Sequence, residues 1–285
     1  MKVIVADKCG FCPGVKNAIR LAEKILAGHE HVYSLGPIIH NKDVVEKLAK
    51  QGLKTIDSVD RIQKGTVLIR SHGAAPEQIE KIKKKGLEIV DATCVLVKRL
   101  QQIATQLENE GYQVVVIGDA NHPEIQAVLG CAKHTIVVAD QNDLHKLPKN
   151  ARLGIVCQTT QTPQHFSEML AAIAKQDFKE LKVINTLCKE AVKRQQSAVK
   201  VCRQVDIMFV LGGLQSANTK KLAELCRKYN PQTFHLQNTD DLDKMLLAGK
   251  KIAGVTAGAS TPDWIIADFV KKLQDFDINS TLPKG

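Results

Sequence analysis

The chain has 285 residues, 44% of them apolar and 25% charged, with a formal net charge of +10. This composition is typical of a folded protein and excludes a disordered one. No segment resembles a membrane span or a signal peptide, so we expect a cytoplasmic protein whose eight cysteines stay reduced. The basic residues are dispersed, which argues against nucleic-acid binding. The net positive charge favours an anionic substrate and an acidic protein partner.

The predicted elements recur in the same order three times along the chain. In each copy an apolar strand runs into an amphipathic helix that starts at a cysteine. The strands are residues 2–7, 87–93 and 181–187, and the cysteines are Cys12, Cys94 and Cys188.

Each copy then continues with a second strand, a polar loop, a short helix, and a third strand that ends before a helix led by proline. The second strands are residues 31–36, 112–119 and 205–213, followed by short helices at 42–52, 123–130 and 219–229. The third strands are residues 65–73, 151–160 and 250–260, and the last helices start at Pro76, Pro163 and Pro262. Proline suits the first helical position, where a missing N–H costs little.

Alternating strands and helices predict parallel sheets covered by helices. We therefore predict an α/β fold of three pseudo-equivalent α/β units with small parallel sheets around a central site. The predicted units are residues 13–93, 94–187, and 188–285 plus 1–12. The third copy ends without a closing strand, so the N-terminal strand is predicted to complete it.

A spacing of 28 residues separates each of these three cysteines from a polar residue: His40, His122 or Ser216. Cys9 forms a CxxC pair with Cys12, but the equivalent positions in the other copies hold Asp91 and Asn185. The repeat therefore selects Cys12 and sets Cys9 aside.

Three cysteines at helix starts favour thiolates, because exposed N–H groups and the helix dipole stabilise negative charge there. Three such thiolates could bind zinc or hold an iron–sulfur cluster. Structural zinc takes four protein ligands, and no fourth cysteine occupies an equivalent position. The pattern favours one [4Fe–4S] cluster held by Cys12, Cys94 and Cys188 with one open iron, which can act as Lewis acid and electron donor.

Polar residues lie at the predicted carboxyl ends of the strands, where ligands bind in parallel sheets. They form two layers: His40, His122 and Ser216 in one, and His72, Thr159, Thr160 and Ser260 in the other. Hydroxyls, imidazoles and helix N-termini together indicate a site for a phosphate or diphosphate.

Two residues after the first layer lie Lys42, Glu124 and Asn218, so only the second copy carries a carboxylate there. Glu124 is therefore the predicted proton donor. His122 and Thr159 are placed to orient it or to pass protons.

Nine short motifs, in order over nearly the whole chain, resemble the 4-hydroxy-3-methylbut-2-enyl diphosphate reductase family, also called IspH or LytB. They are GFCPGV at Cys12, HN at His40, SHG at His72, DATC at Cys94, HPE at His122, QTT at Thr159, the RQ that follows Cys188, SAN at Ser216, and TAGASTP at Ser260.

This resemblance implies an iron–sulfur oxidoreductase that catalyses the last step of the non-mevalonate isoprenoid pathway. It reduces an allylic hydroxy-diphosphate to isopentenyl and dimethylallyl diphosphates, with ferredoxin or flavodoxin as electron donor. The family's roles then fall on residues of this chain as follows: Cys12, Cys94 and Cys188 hold the cluster, His40, His72, His122, Ser216, Asn218 and Ser260 bind the diphosphate, Thr159 steadies the hydroxyl end, and Glu124 supplies the proton.

The chain departs from the family's pattern at three positions. Val95 stands where many relatives have proline, Ala217 replaces the middle serine of Ser-Ser-Asn, and Cys157 replaces a threonine. None of these changes removes a predicted cluster ligand or the proton donor, although Ala217 lacks a hydroxyl that could contact phosphate.

Two alternatives remain at this stage. A quinolinate-synthase-like enzyme also combines three similar units with a three-cysteine cluster, and would use the open iron as Lewis acid without net reduction. A non-catalytic iron–sulfur sensor would need a clustered basic face and no Glu124. The motif set points away from the first, and the dispersed charge points away from the second.

Overall fold

The computed structural model describes residues 1–276, which contain three four-stranded sheets, each parallel throughout. The final residues of the predicted third unit, 277–285, lie outside the described residues.

The elements follow the predicted alternation. The strands are β1 (Lys2–Val5), β2 (Val32–Leu35), β3 (Lys54–Ile56), β4 (Thr66–Ile69), β5 (Glu88–Asp91), β6 (Gln113–Ile117), β7 (Ile136–Val138), β8 (Ala151–Cys157), β9 (Phe178–Val183), β10 (Ile207–Leu211), β11 (Thr233–Leu236) and β12 (Ile252–Ala257). The α-helices are α1 (Pro13–Leu26), α2 (Lys42–Lys50), α3 (Pro76–Lys84), α4 (Val95–Asn109), α5 (Pro123–Cys131), α6 (Pro163–Ile173), α7 (Lys189–Cys202), α8 (Ala217–Tyr229) and α9 (Asp263–Gln274). Short 3₁₀ helices occupy Gln141–Lys146, Thr239–Asp241 and Lys244–Leu247.

The three sheets share one strand order. The orders are β5-β4-β2-β3, β9-β8-β6-β7 and β1-β12-β10-β11, so corresponding strands occupy corresponding places. In the third sheet β1 pairs with β12 from Lys2 opposite Ile252 to Val5 opposite Val255. The predicted α/β fold of three parallel sheets, with the N-terminal strand completing the third, is confirmed.

Two compact units divide the chain. We call Met1–Cys12, His40–Val44 and the described residues from Lys189 onward the terminal unit, and Pro13–Ile39 with Val45–Cys188 the central unit. The terminal unit contains the third sheet, and the central unit contains the other two. The three-way boundaries inferred from the repeat remain a prediction.

Apolar sequence explains why these segments fold as they do. The central strand β10 reads IMFVL, and all five of its residues are buried, as expected for a strand covered on both faces. Helix α1 buries Val15, Ala18, Ala22 and Ile25, which recur every three to four residues and form one apolar stripe. Burying a side chain of valine or isoleucine size contributes about 1.5–3 kcal/mol.

Three short edge strands were not predicted. They are β3, β7 and β11, and each lies at one end of its sheet. They are short and mostly not buried, and KTI and TFHL mix polar with apolar residues, so they lack the apolar run that marks the inner strands.

The prediction that Pro262 is the first residue of the last helix is wrong by one position, because α9 begins at Asp263. The backbone of Pro262 is extended, with ψ of 153°, so it precedes α9 instead of beginning it. Across residues 1–276, every helix falls short of the length and apolar character that a membrane crossing requires.

Candidate functional site

Each of the three repeat cysteines is held by the same backbone hydrogen bond. The N–H of Cys12 donates to the Ala259 carbonyl (3.1 Å), that of Cys94 to Ser71 (3.0 Å), and that of Cys188 to Thr159 (2.8 Å). The acceptor lies in each case in the turn that follows the neighbouring strand of the same sheet. The repeat therefore extends from topology to single hydrogen bonds.

The turns that hold the cysteines are equivalent too. Each closes with an N–H to carbonyl bond across four residues, from Gly73 to Arg70 (3.0 Å), from Gln161 to Gln158 (3.1 Å), and from Thr261 to Gly258 (3.2 Å). Within these turns Thr159 corresponds to Ser71 and Ala259. Of these three equivalent positions, two carry a hydroxyl, and only Thr159 has the carboxylate of Glu124 beside it.

None of the eight cysteines, all of which lie within residues 1–276, forms a disulfide. Cys12, Cys94 and Cys188 are all partly exposed, and each directly precedes a helix: α1, α4 or α7. They therefore keep access to a ligand at the end of a helix where negative charge is favoured. Cys9 is partly exposed as well, but it packs against the apolar core of the third sheet.

In the central unit a series of contacts connects the predicted site residues of two sheets. The imidazole rings of His72 and His122 meet edge to face, with centroids 5.3 Å apart. His122 caps α5, and its Nδ1 accepts the N–H of Glu124 at 3.2 Å. Because that cap uses Nδ1 as an acceptor, the remaining proton of a neutral His122 ring is on Nε2.

Glu124 is only 2% exposed, and Thr159 donates to both of its carboxylate oxygens. The backbone N–H of Thr159 lies 2.7 Å from Oε1, and its hydroxyl lies 2.9 Å from Oε2. Burial raises the pKa of Glu124, and the two bonds from Thr159 oppose that rise. The Thr159 carbonyl in turn accepts the N–H of Cys188, so a single residue connects the acid to a cysteine.

In the terminal unit the segment that carries His40 is fixed by two neighbours. The hydroxyl of Ser260 donates to the His40 carbonyl at 3.2 Å. A side chain at Gly213 would collide with the same carbonyl, so only glycine permits this approach. The structure thus brings His40 and Ser260 together beside the loop that leads to Ser216.

Ser216 and Asn218 lie at the start of α8. The Ser216 hydroxyl accepts the N–H of Thr219 at 3.3 Å and caps the helix. The Nδ2 of Asn218 is buried and makes no hydrogen bond within residues 1–276. A buried donor at a helix N-terminus is suited to an anionic ligand, because both the amide and the helix dipole favour negative charge.

Two residues that shape the cysteine loops were not predicted as site residues. Asp91 and Asn185, noted only as the counterparts of Cys9, each accept an N–H two residues on: Thr93 at 2.9 Å and Leu187 at 3.0 Å. These Asx turns set the loops before Cys94 and Cys188. The signal was present in the sequence, since Asp or Asn three residues before both cysteines is the expected residue for such a turn.

Of the three departures from the family pattern, two lie at the first residue of a helix and one lies in an apolar core. Val95 is the first residue of α4 and is 75% exposed. Ala217 is the first residue of α8, and Cys157 is fully buried in the core of the second sheet.

Comparison with known proteins gives one consistent family. A family model described as LytB protein matches residues 3–274. The relative from Syntrophotalea carbinolica, named 4-hydroxy-3-methylbut-2-enyl diphosphate reductase, is 43% identical over 277 residues and covers 96% of this chain and 99% of its own. The relative of the same name from Geobacter metallireducens is 39% identical over 282 residues, covering 99% and 100%.

Two solved structures are similar over nearly the full length. One is described as (E)-4-hydroxy-3-methyl-but-2-enyl diphosphate reductase, the terminal enzyme of the non-mevalonate pathway, with a TM-score of 0.71, 41% identity, and coverage of 97% of this chain and 100% of that one. The other is the E-1-hydroxy-2-methyl-but-2-enyl-4-diphosphate reductase from Plasmodium falciparum, with a TM-score of 0.92, 29% identity, and coverage of 99% and 90%.

Proposed function

Because the chain belongs to the LytB family of 4-hydroxy-3-methylbut-2-enyl diphosphate reductases, we propose that it catalyses the reductive dehydroxylation of (E)-4-hydroxy-3-methylbut-2-enyl diphosphate. Two electrons and two protons enter, the allylic C–O bond breaks, the hydroxyl leaves as water, and isopentenyl or dimethylallyl diphosphate is released. The observation that carries the proposal is the buried Glu124 held by Thr159, since the reaction takes up protons at the reacting end of the substrate.

The cofactor that we assign is one [4Fe–4S] cluster with Cys12, Cys94 and Cys188 as ligands and one open iron. The donor set fits: three partly exposed thiols stand at equivalent helix starts, and thiolates are the ligands that such clusters take. Such a cluster supplies electrons and, at an iron without a cysteine ligand, a Lewis-acid position.

We assign binding of the diphosphate to side chains matched by the family's motifs. These are His40, His72, His122, Ser216, Asn218 and Ser260. Hydroxyl, amide and imidazole donors suit phosphate oxygens. The buried Nδ2 of Asn218 and the helix start that it shares with Ser216 support this assignment most directly.

Proton delivery we assign to Glu124, with His122 and Thr159 as its partners. Burial keeps this carboxyl protonated further toward neutral pH than an exposed glutamate, so a proton is available where the reaction needs it. Thr159 fixes the carboxyl through two hydrogen bonds, and its hydroxyl would also steady the hydroxyl end of the substrate.

For electrons we propose an acidic carrier of the ferredoxin or flavodoxin type, acting in the cytoplasm. The formal net charge of +10 favours association with such a protein and speeds its encounter at low salt.

The decisive test is anaerobic purification with iron and sulfide analysis, followed by assay of the hydroxy-diphosphate with a strong chemical reductant. We expect about four irons per chain and turnover that depends on the reductant. A cluster-loaded sample without such turnover would remove the reductase proposal. Conversion without consumption of reductant would instead favour the Lewis-acid alternative.

A further inference from the structure

The loop before Cys12 has no Asp or Asn at the position that forms an Asx turn before Cys94 and Cys188. Asp91 and Asn185 stand three residues before Cys94 and Cys188 and accept an N–H two residues on. Before Cys12 the equivalent residue is Cys9, and a thiol is a weak acceptor. A different contact must therefore hold the turn that presents Cys12.

Helix α7 provides that contact. The guanidinium of Arg194 donates to the Gly10 carbonyl at 2.6 Å, and one turn later the Ser197 hydroxyl accepts the Lys8 N–H at 3.2 Å. Gly10 has a φ of 74°, in the left-handed region that glycine adopts without strain, so its residue type permits the turn that these contacts hold. These two hydrogen bonds and the one from the Cys12 N–H to the Ala259 carbonyl hold the loop at three points.

Arg194 also places a positive charge in the interior of the terminal unit. It lies on the buried stripe of α7 and is 5% exposed. Its field acts on this loop: burial raises the pKa of the Cys9 thiol, Arg194 opposes the rise, and Asp263 and Asp7 add to it. A neutral donor could make the same hydrogen bond at a smaller desolvation cost, so the charge itself calls for an explanation.

We propose that Arg194 is a positioning residue for Cys12 and that its charge raises the reduction potential of a cluster held by that cysteine. The inference rests on the proposed function, since it requires a cluster on Cys12. One-electron reduction makes a cluster more negative, and a nearby buried cation stabilises the more negative state. Asp263 carries a negative charge close to the same loop, since its Oδ1 would lie 2.9 Å from a Cβ placed on Gly10. That charge acts in the opposite sense and lowers the reduction potential.

The test is a redox titration of cluster-loaded protein, followed by EPR, for the wild type, Arg194→Gln and Ser197→Ala. Arg194→Gln keeps a donor and removes the charge. We expect near-normal iron content and, at the wild-type midpoint, a roughly tenfold smaller ratio of reduced to oxidised cluster, equivalent to about 59 mV for one electron. Ser197→Ala removes the other α7 contact without changing charge, so its midpoint should match the wild type.

Two further variants complete the test. Arg194→Lys retains both a donor for the Gly10 carbonyl and the charge, so the wild-type potential should survive with near-normal iron content. Asp263→Asn removes a negative charge beside Gly10 and should move the midpoint in the positive direction; an unchanged midpoint would contradict tuning of the cluster by charge at this loop.

The two proposals fail in different ways. A wild-type protein that takes up no cluster contradicts the proposed function. A loaded Arg194→Gln protein with the wild-type midpoint, or a Ser197→Ala shift of the same size, contradicts the role of Arg194 alone.

Discussion

Thr159 donates to both oxygens of the Glu124 carboxylate, from its backbone N–H at 2.7 Å and from its hydroxyl at 2.9 Å. Both residues are buried, so neither contact is shared with bulk water. The bonds stabilise the ionised form, whereas burial stabilises the protonated form and prevails. This balance makes Glu124 a carboxyl that can hold a proton and still release it.

Glu124→Gln should keep substrate affinity and lose most turnover. Glutamine has the same shape but no acidic proton, and loss of a general acid costs about 10²–10⁴-fold in rate. The measurement is kcat under saturating substrate and reductant, with affinity determined separately.

Glu77→Gln is the matched control for that variant. Glu77 also follows a proline at the first position of a helix, but it is exposed. The Glu77→Gln variant should therefore leave kcat unchanged. Normal turnover by Glu124→Gln would remove the proton-donor role.

The pH dependence of turnover should respond to the Thr159 hydroxyl. If protonated Glu124 is required, kcat falls as pH rises through the pKa of that carboxyl. Thr159→Val removes one donor to the carboxylate, which raises the pKa further and moves the falling limb to higher pH. Thr159→Ser retains the hydroxyl and should leave the limb in place; equal profiles for both variants would contradict the coupling.

The sequence predicted the framework of this site better than its contacts. The repeat was visible because Cys12, Cys94 and Cys188 stand at one position of a pattern that recurs along the chain. The edge strands β3, β7 and β11 were missed because they are short and mostly not buried, so they lack the apolar run that marks the inner strands. The two hydrogen bonds from Thr159 to Glu124 require the turn after one strand to meet a helix start in space. Spacing along the chain cannot reveal that contact.

Cluster loading should separate a cysteine that the repeat selects, Cys94, from Cys9, which the repeat sets aside. Cys94→Ser should lose most of its iron and sulfide, because a hydroxyl replaces one of three thiolate ligands. Cys9→Ser should retain both, since Cys9 packs against the apolar core of the third sheet. Iron and sulfide per chain, measured anaerobically, provide the check. A Cys9→Ser protein without iron would show that the repeat selects the wrong ligands.

Ser216→Ala should weaken both the helix and the diphosphate site. Loss of an N-cap hydroxyl costs about 1 kcal/mol of stability, and a ligand contact would be lost in addition. KM for the diphosphate and the urea midpoint for unfolding measure the two effects.

Thr162→Ala provides the comparison for the helix effect. The Thr162 hydroxyl caps α6 in the same way, accepting the His165 N–H at 3.1 Å, but it has no assigned role in binding. Its stability should fall by a similar amount while KM stays constant. A rise in KM of equal size in both variants would mean that Ser216 acts through the fold only.

Val95→Pro should be accepted at the start of α4. Val95 is the first helical residue, where proline's missing N–H costs little, and Cys94 before it has ψ of 136°, which suits a residue that precedes proline. The chain already has proline after Cys12, at the start of α1. Since proline also restricts the unfolded chain, we expect a gain of about 0.4–1 kcal/mol in unfolding free energy with unchanged iron content. A loss of iron would show that Val95 influences Cys94 through more than the backbone.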